Sequence, residues 1–205
     1  GHLRAALRGT ALEGEMSYLA LHLSGGTTDL LFAENDAVTE LGSSLDLHAG
    51  QLMDRVGVAL GCTFPAGPEM EKLAERGTSR GRLGCSMEAG DLSCHLSGAE
   101  AQAMRLLREG NVTPEDLSRE VFDLLARTVS RMLAAGADRT GIRRALVCGG
   151  IATSMLFREM LMERIRKRDG RLQVAFGDPE LSGDNAVGAA LIGRDRLQTV
   201  TAEKI

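Results

Sequence analysis

Tryptophan is absent, and the 205 residues hold one tyrosine and five phenylalanines. So few rings cannot build the platform on which single-strand nucleic-acid binders stack bases. Excess basic charge is lacking too: 24 Lys and Arg face 28 Asp and Glu, a formal net charge of −4. A free-standing phosphate-backbone binder needs the opposite balance, so contact with RNA calls for a local patch or a partner. Cysteine is sparse, at Cys62, Cys85, Cys94 and Cys148, without C-x-x-C spacing or a His-rich neighbourhood. This excludes a zinc cluster or disulfide framework and predicts the reduced thiols of a cytoplasmic protein. No apolar run nears the ~18 residues that span a bilayer, so no membrane contact is predicted. Proline is low at 4 residues, and 43% of the chain is apolar, which excludes a disordered or fibrous class. An initiator Met is missing, and Gly1 to Arg8 opens inside a helical pattern, which predicts further chain upstream.

What is present is an alternation of strands and helices. Leu19, Leu21 and Leu23 alternate with Ala20 and His22 up to Ser24-Gly25-Gly26-Thr27-Thr28, and Asp29 to Ala33 resumes an extended pattern: strand, glycine turn, strand. Ala37 to Leu41 adds a third strand, completing an antiparallel meander. Leu52, Met53, Val56 and Leu60 recur at helical spacing between Asp46 and Leu60, closed by Gly61. Glu69 to Arg76 reads as a short helix and Gly77 to Leu96 as a glycine-rich β-hairpin excursion. Ser97-Gly98-Ala99-Glu100 reads as a capping box for a helix from Ala101 to Arg108. Thr113-Pro114-Glu115-Asp116 starts the strongest helix, predicted to run to about Ala135. Beyond it, strand Ala145 to Cys148, helix Ser154 to Lys167, strand Leu172 to Phe176 and helix Asp184 to Arg196 predict an α/β layer with parallel strands.

Consecutive amides in a glycine turn such as Ser24 to Thr28 can face an anion. Gly149-Gly150, between a buried strand and a helix, has the geometry from which helix N-terminal amides bind an anionic or nucleotide group. Either alone fits a plain turn equally well. Together, in this order, they resemble the second half of the actin-like ATPase and sugar-kinase (ribonuclease H-like) fold.

Five segments narrow the resemblance to one family, the transferases that make threonylcarbamoyladenosine in tRNA, once labelled O-sialoglycoprotein endopeptidases or glycoproteases. Gly1-His2-Leu3 resembles the end of the family's His-x-x-Gly-His metal helix, and Leu23-Ser24-Gly25-Gly26 its strand-loop motif. The longest signature is similar to Gly42-Ser43-Ser44-Leu45-Asp46 through Gly50-Gln51-Leu52-Met53-Asp54, then Phe64-Pro65-Ala66-Gly67-Pro68. Leu96-Ser97-Gly98 resembles the end of its Phe-Ser-Phe-Ser-Gly segment, and Gly183-Asp184-Asn185-Ala186 its terminal Asp-Asn-Gly motif.

The resemblance implies that 1–205 is the second domain of an actin-like pair, with 1–15 the tail of a first domain. It implies one divalent metal ion, iron or zinc, on His2 and Asp184 with a further His upstream. It implies an adenine nucleotide or threonylcarbamoyl-adenylate held by Leu23, Ser24, Gly25, Gly26, Asp54 and Gly67, with Ser154 at a further contact. The activity implied is metal-dependent transfer of the threonylcarbamoyl group to the anticodon-adjacent adenosine of tRNA, reached through partner proteins in a hetero- or homodimer. The alternative is a non-catalytic actin-like subunit that binds nucleotide or a sister chain. A small-molecule kinase is a third reading, disfavoured by the signature from Gly42 to Pro68.

The sequence departs from the family pattern in ways that suit a divergent paralogue. Thr27 stands where the family usually has His, Leu47 where it has Asp, His48 where it has Ala, and Gln51 where it has Glu. Ser154 replaces an Asn, giving one rotating hydroxyl where an amide offers a fixed donor and acceptor.

Plainer readings stand beside these. Asp184 and Ser182 are both placed to cap a helix, and Gly1-His2 also reads as the remnant of an expression tag. Asp54 has no cation three or four residues away to pair with. No role is assigned to His22, His48 or His95, since a lone His is more often a satisfied structural group. Arg164, Arg166, Lys167 and Arg168 read as cations opposing a helix dipole. No Ser-His-Asp or Cys-His arrangement assembles from the sequence to support the peptidase label.

Overall fold

The computed structural model describes residues 1–35, 37–181 and 186–202. In chain order, α1 (His2–Leu7) precedes a meander of β1 (Ser17–Leu23), β2 (Thr28–Glu34) and β3 (Ala37–Ser43). Helices α2 (Ala49–Ala59) and α3 (Gly67–Ala74) follow, then the short strands β4 (Ser86–Glu88) and β5 (Ser93–His95). Next come α4 (Ser97–Arg108), α5 (Pro114–Thr140), β6 (Arg144–Cys148), α6 (Met155–Arg168), β7 (Gln173–Phe176) and α7 (Ala186–Ala202).

The main sheet has the order β3-β2-β1-β6-β7. β1 and β2 pair antiparallel from Ser17–Glu34 to Leu23–Thr28, while β1–β6 and β6–β7 are parallel. The sequence foresaw both the meander and the parallel layer. Period-two alternation sends β1 side chains to two cores. Leu19, Leu21, Leu23 and Leu30 enter the large one beneath α5, while Tyr18, Ala20, Leu146 and Cys148 join Ala6 and Leu7 of α1 on the other face. Each fully buried leucine contributes about 1.5–3 kcal/mol of transfer free energy. Gly136 of α5 sits where a Cβ would lie 3.1 Å from Leu30, so the helix lies close on the sheet.

Helix α5 begins as its sequence dictates: the Thr113 hydroxyl accepts the Asp116 amide at 3.1 Å, Pro114 takes the first turn, and Glu115 and Asp116 face the dipole. It continues five residues past the predicted Ala135 to Thr140, ending at Gly141 in the left-handed region, φ 76°. The extension is sustained by burial of Gly136 and Ala137 against the sheet, which a polar-looking Asp138-Arg139-Thr140 tail conceals. The predicted capping box at Ser97 does not form. Helix α4 starts at Ser97 itself, with Leu96 as its cap, because the Ser97 hydroxyl donates instead to Asp46 at 2.5 Å. Within the predicted hairpin excursion only Ser86–His95 is a hairpin. Residues 79–82 are pinned to α5, where the buried Glu120 carboxylate accepts the Arg80 and Arg82 amides at 2.6 and 2.9 Å and the Ser79 hydroxyl at 3.0 Å.

Candidate functional site

Two close approaches create the site. A Cβ on Gly50 would lie 2.6 Å from the Gly25 nitrogen and 2.7 Å from the Ser24 oxygen, so only glycine lets the start of α2 dock on the first loop. The Gly50 amide donates to the Ser24 carbonyl at 3.1 Å. On the other side Gly149 adopts φ +96°, and a Cβ there would meet the Leu23 carbonyl oxygen at 2.2 Å. A side chain at either position would push a loop away. Ser24–Thr28 and Gly149–Gly150 therefore open onto one cleft.

That cleft holds a cavity of about 340 Å³ lined by Ser24, Gly25, Gly50, Asp54, Gly67, Glu71, Gly150 and Ser154, with Phe122 and Ile151 as apolar walls. The volume lies in the range of small-molecule and cofactor sites. Of the sequence-predicted residues, Ser24, Gly25, Asp54, Gly67 and Ser154 line it together. Leu23 is buried in β1 and approaches the second loop through its backbone, and Gly26 is exposed on the rim of the turn, outside the cavity lining.

The polar walls have defined partners. Asp54 Oδ1 accepts the Ala66 amide at 2.8 Å, tying α2 to the start of α3. Glu71 Oε1 accepts the Leu156 amide at 2.9 Å and Ser154 Oγ accepts the Phe157 amide at 3.1 Å, so both cap α6. Among the described residues no hydrogen bond reaches Asp54 Oδ2 or Glu71 Oε2. Glu71 was not singled out from the sequence. Its place four residues after Gly67, one helical turn on, is the signal that could have found it. Gln51 Oε1 accepts the His48 amide at 3.1 Å, the acceptor task a Glu would serve, and Leu47 is buried in the core.

A hydrogen-bond chain leaves the cavity towards α1. Ser24 Oγ accepts the Gly26 and Thr27 amides at 3.2 and 3.1 Å, and lies 2.8 Å from Thr27 Oγ1. Thr27 Oγ1 is 3.0 Å from His22 Nδ1, and the His22 ring stacks on His2 with centroids 5.3 Å apart. Among the described residues His2 Nδ1 is buried and has no hydrogen-bond partner. Burial, then the neighbouring His2, push the His22 imidazole below its ordinary value, against an opposing pull from Asp29. Asp184, like Ser182, lies outside the described residues, and among the described residues no three His, Cys, Asp or Glu side chains converge as a metal cluster. Gly188, in the helix after Asp184, lies against Gly1: a Cβ there would be 1.9 Å from the Gly1 oxygen.

Other candidates have structural partners. Burial pushes the Cys94 and Cys148 thiols up to about 12, which keeps them from acting as thiolates. Ser97 bonds to Asp46, not to His95, whose ring lies between Glu88 and Asp46, so no imidazole activates that hydroxyl. In the basic run Arg164 pairs with Asp123 and Lys167 with Glu163.

Residues 1–191 match the family model described as tRNA N6-adenosine threonylcarbamoyltransferase (TsaD). The chain belongs to this family. A curated tRNA N6-adenosine threonylcarbamoyltransferase from Paraburkholderia xenovorans (strain LB400) is 32% identical over 190 residues, covering 88% of this chain and 55% of the relative. The chain thus spans about half the length of that relative. Among solved structures, HypF from T. kodakarensis superposes with TM-score 0.72 at 13% identity, over 97% of this chain and 36% of that one. Full-length HypF in a phosphate- and nucleotide-bound form gives 0.71 at 10%, over 87% and 32%. The activator of 2-hydroxyisocaproyl-CoA dehydratase from Clostridium difficile, with bound ADPNP, gives 0.59 at 16%, over 98% and 69%. These neighbours establish the actin-like, ribonuclease H-like fold of this TsaD-family chain. Among the described residues no helix is long and apolar enough to cross a membrane.

Proposed function

We propose that the protein containing this chain transfers a threonylcarbamoyl group from an adenylate to the anticodon-adjacent adenosine of tRNA, and that the cavity between the two glycine loops holds the adenylate. One observation carries the reading: Ser24, Gly25, Asp54, Gly67 and Ser154, from four separate stretches of a TsaD-family chain, line a single cavity. The nucleotide-bound forms of the HypF and activator structures support the same ligand class.

The chain's own groups divide the work. The glycine turn lets backbone amides approach the phosphate without side-chain obstruction. The carboxylate oxygens Asp54 Oδ2 and Glu71 Oε2 accept the ribose hydroxyls, while their partner oxygens hold α3 and α6 in place. The Ser154 oxygen, engaged by the Phe157 amide, keeps its O–H to donate to the ligand. Phe122 and Ile151 exclude water from one wall.

The donor set also fits the metal that the family implies: an imidazole with a buried nitrogen that has no partner among the described residues suits iron or zinc, and α7, which follows Asp184, packs against α1, which carries His2. When bound by His2 and Asp184, the metal supplies Lewis-acid polarisation of the transferred group. tRNA arrives through partner proteins, consistent with the net charge of −4. The test is rescue of threonylcarbamoyladenosine in tRNA, read by nucleoside mass spectrometry, in cells depleted of their own enzyme and supplied with the full-length protein and its partners. Rescue by wild type and none by Asp54→Asn supports the reading. Absence of rescue with ATP still bound sinks the transferase and leaves a nucleotide-binding subunit.

A further inference from the structure

We infer that Arg158 is the positioning residue of the second glycine loop: its guanidinium grips the turn after Gly149 from behind and so sets where the wall of the cavity stands against the nucleotide. The inference rests on the reading above that the cavity holds an adenylate. Of that turn, Gly150, Ile151, Thr153 and Ser154 line the cavity. Ala152 is not among them; it is 2% exposed and belongs to the large core. Its carbonyl accepts Arg158 Nε at 2.6 Å. The grip therefore falls on the one residue between Gly150 and Ser154 that lies outside the cavity lining.

The same guanidinium reaches a second segment. Arg158 Nη2 donates to the Gly177 carbonyl, just past β7, at 3.0 Å, and the guanidinium carbon lies 4.9 Å from the centre of the Phe176 ring, within cation–π range. Arg158 is the fourth residue of α6, and helical side chains lean back toward the N-terminus of their helix, which carries it to the turn that precedes its own element. One planar group thus ties the turn after β6 to the end of β7, its parallel neighbour. That edge is the carboxyl end of the strands, outside which open α/β sheets bind their ligands. Gly150–Thr153 is a single 3-10 turn, whose hydrogen bonds are poorer than those of an α-helix, so its position depends on what holds it. Desolvation pulls the guanidinium below its ordinary value against the Asp178 charge, so the cation is kept in this place at a cost.

The experiment is ATP affinity by calorimetry, with hydrogen–deuterium exchange at 149–154, for the full-length wild type, Arg158→Lys and Arg158→Gln. Lysine keeps the cation but offers a point charge in place of the fork that spans two carbonyls. Both variants are expected to bind ATP about 10-fold or more weakly per folded molecule, the scale on which small displacements of positioning groups act. Saturating ATP is expected to slow exchange at 24–28 as in wild type, and no longer at 149–154. A residue that only stabilises the fold would lower the melting temperature and leave both ATP readouts unmoved; that result in Arg158→Lys overturns the inference and leaves the cavity reading standing. If Arg158→Gln does not fold, Arg158→Lys decides alone. If wild type itself binds no ATP, the cavity reading and the inference fall together.

Discussion

Buried or half-buried carboxylates hold loops to helices in two parts of this molecule, and they do so differently. At Glu120 both oxygens are saturated by the amides of Arg80 and Arg82 and the Ser79 hydroxyl, and the side chain is 1% exposed. At Asp54 and Glu71 one oxygen takes a backbone amide, while among the described residues no hydrogen bond reaches the other, and both side chains line the cavity. A carboxylate with all its acceptors spent on the chain is a fastener. One with half of them left facing a cavity holds the wall and also presents it to a ligand.

The contrast can be broken most severely at Glu120. Glu120→Ala strands two amides and is expected to cost about 3 kcal/mol or more of stability, seen as a lower melting temperature in thermal denaturation, with ATP affinity per folded molecule unchanged. Asp54→Asn is the converse. Its amide oxygen still accepts from Ala66, so the melting temperature should hold, while ATP affinity by calorimetry falls about 10- to 100-fold, the value of a hydrogen bond to a charged group. Equal losses of stability at the two positions would erase the distinction. Ser154→Ala removes one of the two caps of α6 and should cost about 1 kcal/mol by chemical denaturation, Glu71 retaining the Leu156 amide.

The smallest effect lies at His95, away from both regions. The Glu88 hydrogen bond, reinforced by the Asp46 charge, raises its imidazole above the ordinary value despite some desolvation. A raised folded-state value means stability that is fully present below the ordinary imidazole range and is lost as pH rises through the raised value. Melting temperatures should therefore show a slight advantage near pH 5.5 over pH 8 that is absent in His95→Gln.

The sequence carried the sheet because period-two leucines and turn glycines act locally: Leu19, Leu21 and Leu23 name a strand without reference to anything distant. It carried the cavity residues through a family signature, which stores a three-dimensional arrangement as spacing. It failed where a side chain chose a distant partner. Ser97 had the local pattern of a cap, yet Asp46, 51 residues away, takes its hydroxyl. Glu71 and His22 looked like an ordinary helix acid and an ordinary strand histidine. Only the fold brings Leu156 to the first and His2 to the second.

Hydrogen–deuterium exchange of the full-length protein with and without ATP tests the distinction between the two regions most directly. The account predicts that ATP slows exchange in 24–28, 66–71 and 150–157, where the half-engaged carboxylates and glycine loops meet, and leaves 79–82, fastened by Glu120, unchanged. Protection at 79–82 with none around the cavity would contradict it.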